Sequence, residues 1–198
     1  MIRHTFFDVG GVLREASVRS LFEELKKRHP NLDENRYRAF MWDSRTLTDP
    51  NGTIERLLNT EFGDLGFRAE ELMGLFRARP RYERVWEEIA KELRRRERPV
   101  GILSDQSAEG AEFLRFEYGL PFLFDPVIFS SDRNVRLTKE DRRIFDLARD
   151  RVGIEAADLL MIDDNPRVVD VARGAGWKTI HYTDHESLRR ELVSYGLL

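Results

Sequence analysis

From Pro99 onward, short apolar runs alternate with helical patterns, which leaves few architectures open to the chain. Residues 100–103, 127–129, 159–162 and 179–182 are apolar or β-prone runs of three or four residues. Runs this short, with little polar alternation, fit strands covered on both faces, as in a parallel sheet flanked by helices. The segments between them carry helical spacing: Phe113, Leu114 and Phe116; Ile144, Phe145, Leu147 and Ala148; Val168, Val169 and Ala172; Leu188, Leu192 and Val193. Ser107, the pair Asn165-Pro166 and Asp184 are expected N-caps, and Gly119, Gly153, Gly174 and Gly176 expected stops. The reading is an α/β chain with a Rossmann-like parallel sheet and helices on both faces.

One more strand opens the chain. In His4-Thr5-Phe6-Phe7-Asp8-Val9-Gly10-Gly11-Val12-Leu13 a β-prone run ends on an aspartate followed by two glycines. An acid at the mouth of a buried strand is costly unless something binds it. The glycines let the backbone turn and let a ligand approach. Polar residues also end the later strands: Ser104-Asp105, Ser130-Ser131 and Asp163-Asp164. In an open parallel sheet the ligand crevice lies beyond these carboxyl ends. Turns favour Ser and Asp in any case, so it is the recurrence on one edge that points to chemistry.

No strand is expected between Leu13 and Arg98. Val18, Leu21, Phe22 and Leu25 follow a cap at Ser17. Tyr37, Phe40 and Met41 follow Asp33, and Ile54, Leu57, Leu58 and Phe62 follow Thr53. A loop at Asp49-Pro50-Asn51-Gly52 separates the last two. Leu72, Leu75 and Phe76 mark another helix, Pro80 ends the block, and Tyr82, Val85, Trp86, Ile89 and Leu93 form an amphipathic helix leading into the sheet.

The 198 residues suit one domain with or without an inserted subdomain. The absence of cysteine excludes disulfides, thiolate zinc sites and cysteine nucleophiles. A net charge of −3 with mixed signs argues against a nucleic-acid partner. Arg94-Arg95-Arg96, flanked by Glu92 and Glu97, reads as a solvated helix end. No apolar run approaches membrane-spanning length, and the chain runs straight into a strand with no signal peptide in front. A cytoplasmic protein, monomeric or homodimeric and without a membrane partner, is expected. His4, His29, His181 and His185 follow no ligand spacing and are read as structural or surface residues. Trp86 and Trp177 are read as core.

Phe7-Asp8-Val9-Gly10-Gly11-Val12-Leu13, Ser104 after an apolar strand, Lys139 before a helix, and Ile162-Asp163-Asp164-Asn165 form an ordered set of four. The set resembles the haloacid dehalogenase (HAD) superfamily, in particular the branch with a helical cap inserted after the first motif. The resemblance implies a core of residues 1–14 and 80–198 and a helical cap of residues 15–79. It implies a magnesium-dependent phosphatase of a small phosphorylated metabolite, such as a sugar phosphate. In that reading Asp8 attacks phosphorus, and Asp8, the Gly10 carbonyl and Asp164, with Asp163 beside it, hold Mg²⁺. Lys139 would pair with Asp8 and the phosphoryl oxygens, Ser104 and the Asp105 amide would bind the same oxygens, and the amides around Gly10 and Gly11 would complete the cradle. The chemistry is coherent without the family. A carboxylate can split ester hydrolysis into two displacements, and two anions meeting need positive charge between them.

The chain departs from that pattern at two places. Relatives often read Lys-Pro-Asp-Pro, where this chain has Lys139-Glu140-Asp141-Arg142. Many phosphatases of the superfamily also carry a second aspartate two residues after the nucleophile, where this chain has Gly10. Losing that general acid costs about 10²–10⁴-fold for a poor leaving group, so an acidic leaving oxygen or a slow enzyme is expected. The cap would supply specificity through Tyr37, Trp42, Arg45 and the Asn51-Gly52 loop, with Trp42 and Arg45 suited to a sugar face and a second anion. Two other readings use the same scaffold. One is a metal-independent haloacid dehalogenase, disfavoured because Asp163 and Asp164 would face Asp8 without a cation. The other is a non-catalytic binding module.

Overall fold

The computed structural model describes residues 1–14, 18–48, 53–78 and 85–198. The expected cap Ser17, the Asp49-Pro50-Asn51-Gly52 loop, Pro80, Tyr82 and the expected domain edges at Glu15, Arg79 and Pro80 lie outside the described residues. So do the side chains of Thr53, Val85 and Trp86.

Five strands form one parallel sheet: β1 (His4–Phe7), β2 (Val100–Ser104), β3 (Val127–Phe129), β4 (Leu159–Asp163) and β5 (Lys178–His181), in the order β3-β2-β1-β4-β5. Register pairs Phe7 with Ile102 on one side and with Ile162 on the other. Side chains alternate across the sheet as the pleat requires. Phe7, Ile102, Phe129 and Ile162 face one core, and Phe6, Leu103, Ile128 and Met161 face the other. Burial on both faces is why these strands read as continuous apolar runs.

The second core is closed by α7 (Arg143–Val152) and α8 (Pro166–Gly174), through Ile144, Phe145, Ala148, Val168 and Ala172. Trp177 packs there as expected, against Phe6 and Phe145. The first core is closed by α5 (Val85–Arg95), α6 (Ala108–Phe116) and α9 (His185–Ser194). The expected caps form: Ser107, Asn165 and Asp184 accept N–H bonds from Gly110, Arg167 and Ser187. Four boundaries or faces differ from expectation. The fifth strand starts at Lys178 instead of Thr179 and ends before Tyr182, whose N–H still bonds the Asp163 carbonyl. α6 ends at Phe116, and Gly119 opens a separate short turn. Phe116 and Val193 are 77% and 54% exposed, because Leu114 and Leu192 already carry the buried stripes of their helices. Gly174 is the last helical residue of α8, and the turn is made by Gly176.

Between β1 and β2 lie α1 (Val18–Arg28), α2 (Glu34–Asp43), α3 (Thr53–Phe62) and α4 (Ala69–Ala78), with no strand among the described residues. Their apolar faces extend the first core through Leu21, Leu25, Phe40, Leu58, Phe62 and Leu72. Polar contacts among the described residues tie this block to the rest of the fold. Buried Arg14 donates to the Phe76 carbonyl and lies over the Phe76, Phe113 and Tyr118 rings. Ser130 Oγ donates to the Arg45 carbonyl at 2.7 Å. Glu109 accepts the Ile54 N–H at 2.8 Å. No helix among the described residues is long and apolar enough to cross a membrane.

Gly101 shows how tightly the central strands pack. A β-carbon there would lie 2.8 Å from Phe6 Cε1, 2.9 Å from His4 Nε2 and 2.9 Å from the Pro126 carbonyl oxygen. The two rings are buried and the third neighbour is backbone, so the clash has no cheap relief. Gly101→Ala is expected to destabilise the fold by about 1–3 kcal/mol, read as a lower denaturation midpoint at unchanged m-value.

Candidate active site

The sheet order creates a crevice. The chain steps outward from β1 to β2 and β3, then returns to place β4 on the other side of β1. The carboxyl ends of β1 and β4 therefore meet at the switch point. Asp8 follows β1, held by its N–H to the Ile162 carbonyl. Asp163 is the last residue of β4, Ser104 the last of β2, and Ser130 follows β3.

Lys139 joins these ends. Its Nζ lies 2.7 Å from Asp8 Oδ1 and 2.5 Å from Asp163 Oδ2, and all three side chains are at least nine-tenths buried. Its backbone N–H donates to Asp105 Oδ1 at 3.0 Å. Burial works against the ammonium, but Asp163, Asp8 and Asp105 outweigh it and hold the lysine protonated, above its ordinary range. The acids feel the converse. Burial pushes Asp163 up to about 7, with the charge of Asp8 adding to it and Lys139 opposing. Burial and then Asp8 push Asp164 up to about 6. Asp105 is also raised, chiefly by burial, against the pull of Lys139 and Arg45.

The three carboxylates Asp8, Asp163 and Asp164 offer oxygens that all lie within 4.8 Å of one another. Four carboxyl groups, Asp8, Asp105, Asp163 and Asp164, crowd around Lys139, and Arg45 comes no nearer than 3.7 Å to Asp105. Buried charge needs a partner, and a hard divalent cation bound through oxygen supplies two positive charges. The residues present fit Mg²⁺. They do not contribute equally, however. Asp163 gives Oδ2 to Lys139 and Oδ1 to the Asn165 N–H, so its main work in this arrangement is to hold the lysine and the turn.

Asp164 depends on Gly11. That glycine has φ +81°, and a β-carbon there would fall 2.1 Å from Asp164 Oδ2. The turn left open by Gly11 is thus filled by the Asp164 carboxylate, where the sequence points to room for phosphate. Gly11→Ala should displace this carboxylate. It is expected to weaken magnesium binding by about 10-fold or more, as losing a ligand-orienting partner does, measured by calorimetric titration.

A cavity of about 660 Å³ opens above these residues, lined by Asp8, Gly10, Asp105, Lys139, Asp163 and Asp164, and by Trp42 and Arg45 from the helical block. Arg45 lies over the Trp42 ring, 5.5 Å from its centroid, and 3.7 Å from Asp105 Oδ2. The helical block therefore reaches the cavity through Trp42 and Arg45 as expected, but not through Tyr37. That side chain is fully buried against Phe22 and Phe40 and belongs to the core. Ser104 is buried at the strand end, accepting a hydrogen bond from Gln106 Nε2 at 3.1 Å. Ser130 ties Gln106 and Arg45 together, accepting the Gln106 N–H. Sequence reasoning missed several residues here. His181 Nε2 meets the Asp164 carbonyl at 3.0 Å, and Gln106, Arg19, Arg38 and Arg167 line the cavity. Arg167 had a signal: a cation in the first turn of α8 opposes the helix dipole.

A family model described as haloacid dehalogenase-like hydrolase matches residues 2–176. A search of curated protein sequences finds no match. Among solved structures, the chain is similar to L-2-haloacid dehalogenase from Xanthobacter autotrophicus, with TM-score 0.67 and 23% identity over 98% of this chain and 83% of that one. It is also similar to a HAD family enzyme from Bacteroides thetaiotaomicron in complex with magnesium and inorganic phosphate, with TM-score 0.70 and 18% identity over 92% and 95%. A predicted HAD-like family hydrolase from Porphyromonas gingivalis gives TM-score 0.70 and 19% identity over 98% of each chain. At these identities the structural likeness establishes the fold.

Proposed function

The chain belongs to the haloacid dehalogenase-like hydrolase family, and on that premise we propose that it is a magnesium-dependent phosphatase of a small phosphorylated metabolite. The observation that carries the proposal is the charge imbalance at Asp8. Three mutually close carboxyl groups and Asp105 surround Lys139, and Arg45 comes no nearer than 3.7 Å to Asp105. A site that must bring an anionic nucleophile to an anionic ester needs more positive charge than these side chains provide.

In this reading the Asp8 oxygen not held by Lys139 attacks phosphorus, the bond to the leaving oxygen breaks, and an aspartyl phosphate forms on Asp8. Water then cleaves the phosphorus–oxygen bond to Asp8 and releases phosphate. Lys139 holds Asp8 in place through Oδ1 and offsets charge on the phosphoryl oxygens. Asp163 fixes Lys139. The backbone amides of Gly10 and Asp105 bind the phosphoryl oxygens, whereas the Gly11 N–H, assigned to the same cradle from the sequence, already donates to the Arg14 carbonyl at 2.7 Å. Mg²⁺, when held by Asp8, Asp164 and the Gly10 carbonyl beside Asp163, supplies the missing positive charge. Helices α1 to α4 act as a cap that covers the crevice and excludes water. With glycine at position 10, no side chain there protonates the leaving group or activates water. Substrates with an acidic leaving oxygen are favoured, and hydrolysis of the intermediate is the slow step.

One observation favours a second reading. A halide leaves without a proton, so Gly10 is no handicap to an enzyme in which Asp8 attacks carbon. The two are separated by measuring phosphate release from p-nitrophenyl phosphate and a set of sugar phosphates, with and without magnesium, beside chloride release from 2-chloropropionate. Phosphate release that needs magnesium supports the phosphatase. Metal-independent chloride release without phosphate release overturns it in favour of the dehalogenase.

A further inference from the structure

The outer wall of the cavity carries more positive charge than the phosphate chemistry uses. Beyond the acid cluster and Lys139, its charged side chains among the described residues are Arg19, Arg38, Arg45 and Arg167, with Glu140 the single acid. The arginines come from separate elements. Arg19 lies on α1, Arg38 on α2, Arg45 just after α2 and Arg167 on α8, so the positive wall spans both the helical block and the core. Their present partners hold them loosely. Arg19 and Arg38 pair with Glu23 and Glu34 at exposed positions, where such pairs contribute little. Arg45 is 3.7 Å from Asp105, too long for a hydrogen bond, and only 22% exposed. Arg167 has no side-chain hydrogen bond or ion pair among the described residues, although it stands in the first turn of α8, where a cation is disfavoured. Trp42 supplies an aromatic face beneath Arg45.

We infer that the substrate carries a second anionic group, a carboxylate or a further phosphate, distal to the scissile phosphate and bound by Arg45 and Arg167, with Arg19 and Arg38 raising the local positive potential. This rests on the phosphatase reading for the scissile end. Guanidinium groups match carboxylate and phosphate through paired N–H donors, and a partly enclosed wall raises the value of each contact. The inferred class is therefore phosphorylated carboxylic acids and bisphosphates, in preference to phosphate esters with neutral tails.

The test uses matched aryl esters: phenyl phosphate, 3-carboxyphenyl phosphate and 1,3-phenylene bisphosphate. The expected kcat/KM is about 10- to 100-fold higher for the two anionic-tailed esters, the range for one charge-assisted contact. The advantage should shrink with added salt. Carboxylate against bisphosphate then identifies which anion is preferred. Arg167→Gln, at an exposed position where folding is not at risk, and Arg45→Gln should each reduce that preference, mainly through KM. Equal kcat/KM across the three esters, with phenyl phosphate turned over, overturns the inference and leaves the phosphatase reading standing. If no ester is turned over, that reading fails. The inference is then decided by calorimetric titration of the same three compounds, where equal affinities overturn it and tighter binding of the anionic-tailed pair that Arg167→Gln weakens supports it.

Discussion

Replacing Asp8 with Asn should lower kcat for phosphate-ester hydrolysis by at least about 10⁴-fold, the scale on which losing a nucleophile acts. Fold stability should be unchanged or slightly higher. The amide keeps the shape of the side chain but cannot form the acyl phosphate. It also removes one of the carboxylates crowded within 4.8 Å of each other, which relieves repulsion with Asp163 and Asp164. Lys139 keeps its contact to Asp163 at 2.5 Å, so the buried ammonium is not orphaned. Steady-state kinetics and a thermal melt on the same preparation check both halves. A kcat within about 10-fold of wild type would remove Asp8 from the chemistry.

Lys139→Met should act on stability and activity together. Lys139 is 3% exposed and is the cation that Asp8, Asp163 and the Asp105 region share. Methionine fills most of its volume but leaves the acids facing one another without compensation. Breaking a buried pair in this way costs about 3–5 kcal/mol. Loss of positive charge at the phosphoryl oxygens costs a further factor of about 10²–10³ in kcat. The two effects separate on adding magnesium. Binding of the ion to the native state alone should restore part of the melting temperature by mass action, whereas kcat should stay low, because the ion does not replace the lysine's hold on Asp8. A variant that melts like wild type without magnesium would show that Lys139 does not balance these acids.

The sheet was legible because its strands are buried on both faces. Phe6 and Phe7 face opposite cores, as do Leu103 and Ile102, so neither strand shows the polar alternation of a half-exposed sheet. Part of the site was legible through position: the acids Asp8, Asp163 and Asp164, at the ends of β1 and β4, meet at the switch point, whereas the hydroxyls of Ser104 and Ser130, at the ends of β2 and β3, do not line the cavity. What could not be read was pairing. No sequence pattern says that both oxygens of Asp163 are already occupied, or that the space at Gly11 belongs to the Asp164 carboxylate. The first follows from a loop that returns Lys139 to the end of β4 and from the local turn at Asn165, the second from a sheet that brings Gly11 and Asp164 together across the chain. Tyr37 was misplaced for a related reason. An aromatic on a helix beside a cavity serves a core or a ligand equally well until its neighbours, here Phe22 and Phe40, are known.

Asp8 is expected to become covalently phosphorylated during turnover. Since glycine at position 10 leaves the usual base absent, that intermediate should accumulate. Acid quench of the enzyme within the first turnovers on p-nitrophenyl phosphate, followed by peptide mass spectrometry, reads it directly. The expected result is a phosphoryl group on Asp8 that requires magnesium, is absent from Asp8→Asn, and accompanies a burst of p-nitrophenol near one equivalent per site. Steady release of phosphate with Asp8 unmodified at every quench time and no burst would contradict it.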